Sequence, residues 1–217
     1  MDIKQFVREP INGFTHLAGA ILACIGLIAL VIKASITTQS ALAITAVTIF
    51  GISMILLYSA SATYHMIIAR DKVISILRRL DHSMIFILIM GTYTPFSLIS
   101  LQGTTGWILF SIVVSIATFG VLFKMVWFHC PRWLSTMLYI AMGWIAVFFM
   151  SPLAAKLTFN GVMLLVFGGV IYTIGGVIYW LKPNFLNFKH LGFHEIFHIF
   201  ILLGSLAHYF CIYYFVL

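Results

Sequence analysis

The stretch HEIFH places His194 and His198 four residues apart at the head of an apolar run that continues to Leu217. Residues four apart share one face of a helix. Far upstream, SATYH gives the same spacing to Ser61 and His65, and RRLDHSMIF sets Asp81 just after a pair of arginines. Three imidazoles suit Zn²⁺, which takes neutral histidine nitrogens and, in catalytic sites, keeps a fourth position for water. Zinc lowers the pKa of that water to about 7. In such a site His65, His194 and His198 are the ligands. Asp81 orients the water or acts as general base, and Ser61 donates a hydrogen bond to the water or to a substrate oxygen. Each of these residues alone also reads as a rim group reaching for lipid headgroups, and Asp81 as a partner of Arg78 or Arg79. Only a shared depth favours the metal site.

That depth depends on the elements carrying the residues. The chain has 217 residues, 63% of them hydrophobic and 8% charged, and its mean hydropathy is +1.13. A soluble domain of this length needs far more charge to cover its surface. Apolar stretches fall near 13–33, 42–67, 80–100, 105–124, 133–151, 161–181 and 192–216, each close to the ~20 residues that cross hydrocarbon as a helix. The expectation is an all-α integral membrane protein, a single domain over 1–217 built as a seven-helix bundle. The polar start reads as no cleavable signal peptide. Cys24, Cys130 and Cys211 are scattered and odd in number, so they read as packing residues.

Charge orients the bundle. Lys4, Arg8, Arg70, Lys72, Arg78, Arg79, Lys124, Arg132, Lys182 and Lys189 fall on one side of the seven spans, and only Lys33 and Lys156 on the other. The positive-inside rule then puts the N-terminus in the cytoplasm and the C-terminus outside. The net charge of +7 becomes a basic cytoplasmic rim facing anionic headgroups, with no nucleic-acid partner required. With this topology His65 closes span two, Asp81 opens span three, and His194 and His198 open span seven. All four lie in one cytoplasmic layer, and ionisable residues inside spans are functional candidates by default.

The remaining polar residues fall into place around that layer. Glu9, Asn12 and His16 in EPINGFTH share a face, with His16 read as packing first and as a support to the metal layer second. His82 is expected to turn about 100° away from Asp81, and His208 to lie roughly 15 Å deeper than His198 as a hydrogen-bonded core residue. His129 and His190 read as rim residues. Pro95 in GTYTPF is expected to kink span three, with Thr92 or Thr94 answering the freed backbone. Gly168, Gly169, Thr173, Gly175 and Gly176 give span six the small residues of close helix contact.

HEIFH also fits the H-E-x-x-H zinc motif, in which the glutamate is the base. That would make an intramembrane metalloprotease. Such proteases take a third ligand from a later Asp, whereas Asp81 comes earlier. The chain resembles instead the haemolysin III family, the bacterial branch of the progestin and adiponectin receptor (PAQR) family, with ceramidase-like relatives. EPINGFTH, SATYH, RLDHSMIF, GTYTPF, LYIAMGW, GGVIYTIGG and HEIFHIFILLGSLAHYF carry the resemblance. It implies zinc bound by His65, His194 and His198, Asp81 holding the zinc-bound water, and Glu195 as a neighbour rather than the base. It implies a bacterial inner-membrane protein acting on membrane lipids, as a lipid amide or ester hydrolase serving lipid and fluidity homeostasis. A non-enzymatic zinc-clamped sensor is the alternative, and a pore-forming haemolysin ranks below both. The sequence leaves a homo-oligomer open.

Overall fold

The computed structural model describes residues 5–127, 129–186, 188 and 191–217. Lys4, Lys189 and His190 of the expected rim lie outside the described residues. Among the described residues, seven helices are long and apolar enough to cross a membrane: α1 (Pro10–Thr37), α2 (Ala41–Met66), α3 (Asp71–Leu101), α4 (Gly103–Val126), α5 (Arg132–Ala154), α6 (Phe159–Leu181) and α7 (Phe193–Val216). The chain is a multi-pass all-α membrane protein.

Helix α1 packs on α2, α2 on α3, and α6 on α7, and α7 returns to α1 to close a ring. Helix α4 leans on the outside of α3, and α5 fills the side between α3 and α6. Leu30, Val47 and Phe50 anchor one apolar core, and Phe86, Leu109, Val113 and Met142 a second. Large apolar side chains such as Leu22, Ile36, Phe119 and Phe148 point outward, as lipid-facing surfaces do. In lipid, apolar burial no longer drives helices together; close packing and interhelical hydrogen bonds do, each bond worth about 0.6 kcal/mol. Tyr58 Oη donates to Ser205 Oγ (2.6 Å), joining α2 to α7. Tyr93 Oη donates to Gly143 O (2.6 Å), joining α3 to α5. Lys33, at the far end of α1, donates to Tyr213 O and lies over the Tyr213 ring, 4.1 Å from its centroid. It holds the C-terminal turn of α7, where the helix dipole favours a cation.

Several expectations change here. Helix α3 starts at Asp71, about two and a half turns before residue 80, so Arg78 and Arg79 ride on it rather than on a loop. The charges lower the hydropathy of those turns without breaking the helix. Pro95 is followed by a π-helical stretch over Phe96–Leu101, a winding found at helix irregularities. Thr92 and Thr94 donate to the carbonyls of Leu88 and Met90, not to that of Gly91, the carbonyl that proline leaves without its usual donor. Helix α5 is irregular too, tightening to a 3₁₀ winding over Trp144–Phe149. Lys124, expected at the headgroup rim, is buried and donates to Ser135 Oγ and to Cys130 Sγ.

The glycines of α6 divide between two faces. A Cβ at Gly168 or Gly175 would overlap His208 or Phe200 of α7, while one at Gly176 would meet Thr136 and Ile140 of α5. A seven-residue period thus serves α7 with one row, and Gly169 and Gly176 border an internal cavity with the other.

Candidate metal centre

The segment before α1 builds the first part of the site. Glu9 N–H donates to His65 O (2.9 Å) and Arg8 N–H to Met66 O (3.3 Å), laying this segment against the end of α2. The Arg8 guanidinium donates to Tyr64 O and stacks on the Tyr64 ring, 4.4 Å from its centroid. Pro10 opens α1 at a position where its missing N–H costs nothing. Glu9 is thereby delivered to the His65 imidazole, its Oε2 lying 2.6 Å from Nδ1.

Helix α7 brings the second part. Gly192 N–H donates to Glu195 Oε2 (2.9 Å), capping the helix start. His194 and His198 project from one face, as their spacing predicts. Ring centroids lie 5.0 Å apart for His65 and His194, 4.8 Å for His65 and His198, and 4.8 Å for His194 and His198. Each of the three offers one nitrogen, and these atoms all lie within 4.8 Å of one another. His65 is fully buried and His198 is 2% exposed.

The donor set fits a metal ion. A carboxylate accepts, so Nδ1 of His65 donates to Glu9, and Nε2 keeps a lone pair that a metal ion could take. That Nε2 is buried without a hydrogen-bond partner, an uncommon state for a buried polar atom unless something else answers it. A carboxylate behind a histidine whose other nitrogen faces the site is the standard support of a metal-binding imidazole, fixing its tautomer and raising its basicity. The Glu9 carboxyl is pulled from its ordinary 4.5 to about 2, first by the hydrogen bond from His65 and then by a bond from Asn12 and the charge of Arg8, against the opposing effect of burial. Asn12 Nδ2 lies 3.2 Å from both Glu9 Oε2 and Glu195 Oε1, so it links the ends of α1 and α7.

Asp81 and Ser61 stand outside the ligand group but line the same cavity as His194 and His198. The Ser61 hydroxyl is buried with no partner. Asp81 Oδ2 lies 3.5 Å from His82 Nδ1. His82 does not turn away as expected: it borders the cavity, with Nδ1 on Arg78 O (2.8 Å) and Nε2 on Tyr179 Oη (3.2 Å). His16 stacks face to face on His198, centroids 3.8 Å apart at 14°, and so packs within the cluster. Glu195 is occupied by Gly192 and Asn12 and is no part of the ligand group. Sequence reasoning missed Glu9 as the partner of His65. Its only signal was the shared face of Glu9, Asn12 and His16.

A multi-pass helical bundle with a buried imidazole cluster at one membrane end defines the class of protein. A family model described as "Haemolysin-III related" matches residues 4–209. "Hemolysin-3" of Bacillus cereus is 42% identical over 219 residues, covering 99% of this chain and 95% of that protein. The "Hemolysin-3 homolog" of Bacillus subtilis (strain 168) is 41% identical over 208 residues, covering 95% and 93%. The chain belongs to the haemolysin III family.

Proposed function

We propose that the chain is a zinc-dependent hydrolase of a lipid amide or ester, working at the cytoplasmic leaflet of a bacterial inner membrane and serving lipid and fluidity homeostasis. One observation carries this reading. Two of the three clustered imidazoles, His194 and His198, open onto an otherwise largely apolar cavity that also presents a carboxylate, Asp81, and an unpartnered hydroxyl, Ser61. Zinc, when bound, supplies a Lewis acid for a carbonyl and an acidified water.

The chain's own residues do the rest. His65, His194 and His198 hold the ion, with Glu9 setting the His65 tautomer. Asp81 takes the proton of the attacking water and returns it to the leaving amine or alcohol. The Ser61 hydroxyl donates to the oxyanion that develops on the substrate carbonyl. Leu57, Ile85, Leu88 and Ile201 line the walls, receive the acyl chain and exclude bulk water. The excess of Lys and Arg at this end supports a cytoplasmic mouth.

A mass-spectrometric screen of lipid amides and esters tests the reading, with wild type beside Asp81→Ala. Hydrolysis in wild type, lost in Asp81→Ala while zinc is retained, is the expected outcome. Equal turnover in both removes Asp81 from the chemistry. A second reading, a zinc-clamped membrane sensor, draws support from the network of Glu9, Asn12 and Glu195 that ties α1, α2 and α7 at this layer. It predicts no turnover of any lipid and a fall in melting temperature on chelation. Haemolysis by added protein, the activity in the relatives' name, would favour neither.

A further inference from the structure

The cavity at the metal layer continues along α7 to His208, ten residues beyond His198 and so about 15 Å deeper. The other polar side chains bordering this deeper stretch are already partnered. Thr92 donates to Leu88 O (2.8 Å), and Tyr93 to Gly143 O (2.6 Å). Tyr172 shares a hydrogen bond with Ser205 (2.7 Å). Thr173 donates to Gly169 O (2.7 Å) and accepts from the Trp144 indole (2.9 Å).

His208 differs. Its Nδ1 lies 2.9 Å from Gly204 O. A carbonyl only accepts, so Nδ1 carries the proton, and in the neutral ring Nε2 is an acceptor. Nε2 makes no hydrogen bond among the described residues and is not sealed off, and His208, 6% exposed as a residue, borders the cavity. The ring fits because α6 has a glycine opposite it: a Cβ at Gly168 would overlap the imidazole. The rings of Tyr172 and Phe96 lie beside it, centroids 5.4 and 6.5 Å away, and Leu153, Leu165 and Ile201 line the same cavity with apolar surface. An acceptor set alone in such a wall favours a chain that brings a donor to it. A chain without one leaves a buried polar group unanswered.

We propose that His208 is a specificity-determining residue that accepts a hydrogen bond from a hydroxyl on the lipid's acyl chain, roughly ten to twelve carbons from the carbonyl at the metal centre. This rests on the hydrolase reading for which end of the lipid sits at the imidazoles. The preference itself is a binding property of the cavity and can be measured without turnover.

The probes are 12-hydroxystearic acid and stearic acid, which differ by one hydroxyl. They compete with a fluorescent fatty acid for detergent-purified, zinc-loaded protein. The hydroxylated acid is expected to bind about threefold to tenfold more tightly, the effect of one hydrogen bond. His208→Phe keeps a flat ring without the acceptor and should bring the ratio to one or below. Equal affinities in wild type, or an unchanged ratio in His208→Phe, overturn the assignment. Should His208→Phe fold poorly, wild type decides alone: 6-hydroxystearic acid, whose hydroxyl is too far from the carboxylate to chelate zinc and too near it to reach His208, must lose the advantage, and an advantage kept there overturns the assignment. Hydroxyl preference without lipid turnover would remove the hydrolase reading and leave His208 its role. Turnover with no preference would do the reverse.

Discussion

Replacing Glu9 by glutamine probes the support behind His65 with the least change of shape. Glutamine can still accept from His65 Nδ1 through its carbonyl oxygen, but it loses the charge. In the native site Oε2 accepts from His65 at 2.6 Å and from Asn12 at 3.2 Å, while Oε1 lies 3.3 Å from Arg8. Three consequences follow: the imidazole is less basic, its ring is less firmly held, and Arg8 loses its counter-ion. Loss of a carboxylate behind a metal-binding histidine typically weakens metal binding 10- to 100-fold. Glu9→Gln should lie near the tenfold end, about 1.4 kcal/mol, because geometry is kept. Glu9→Ala should lie nearer a hundredfold, because the tautomer is then also free. The assay is competition for zinc against a chelator of known affinity, on detergent-purified protein at constant pH. Affinities for both variants within twofold of wild type would refute the argument. His65 would then need no carboxylate, and the contact would be only a clasp between the α1 entry and α2.

Three further outcomes follow from the same geometry. Because the Glu9 carboxyl is held below its ordinary 4.5 at about 2, its contribution to stability is complete above the unfolded value and is lost as pH falls through the folded one. The melting-temperature gap between wild type and Glu9→Gln should stay level down to about pH 5 and close below it, and a gap undiminished near pH 2 would contradict this. Gly91→Ala should cost about 1–3 kcal/mol in reversible unfolding, since its Cβ would overlap Ser53 Oγ and Cβ where α3 crosses α2; an unchanged unfolding midpoint would show that the helices simply part. Glu195→Gln should keep its zinc and lose no more than about 1 kcal/mol of stability, the usual scale of a helix cap. If it kept zinc while all lipid turnover vanished, the assignment of Glu195 as a base, as in H-E-x-x-H proteases, would return.

Much of the bundle was legible because a membrane imposes simple rules. Helical spans must be long and apolar, so composition alone located seven of them, and their alternation put His65, Asp81, His194 and His198 at one end. The clustering of His65, His194 and His198 followed from i, i+4 spacing joined to that shared depth. The rest depended on contacts that no spacing encodes. Glu9 reaches His65 because the chain before α1 pairs its backbone with the end of α2, a contact across 56 residues. The start of α3 was misplaced because charged turns lower hydropathy while leaving helix propensity intact. Lys124 was read as a rim lysine because a side chain's burial depends on its neighbours, here Cys130 and Ser135. His208 was expected as a satisfied core residue, and only one of its nitrogens is.

The central claim is that His65, His194 and His198 hold one metal ion, and metal content tests it most directly. Protein purified in detergent and zinc-loaded should carry about one zinc per chain by elemental mass spectrometry, and the His194→Ala/His198→Ala double variant should carry essentially none. A wild type that holds no zinc after loading, or a double variant that holds as much as wild type, would contradict the account and leave the imidazoles as a helix-packing cluster.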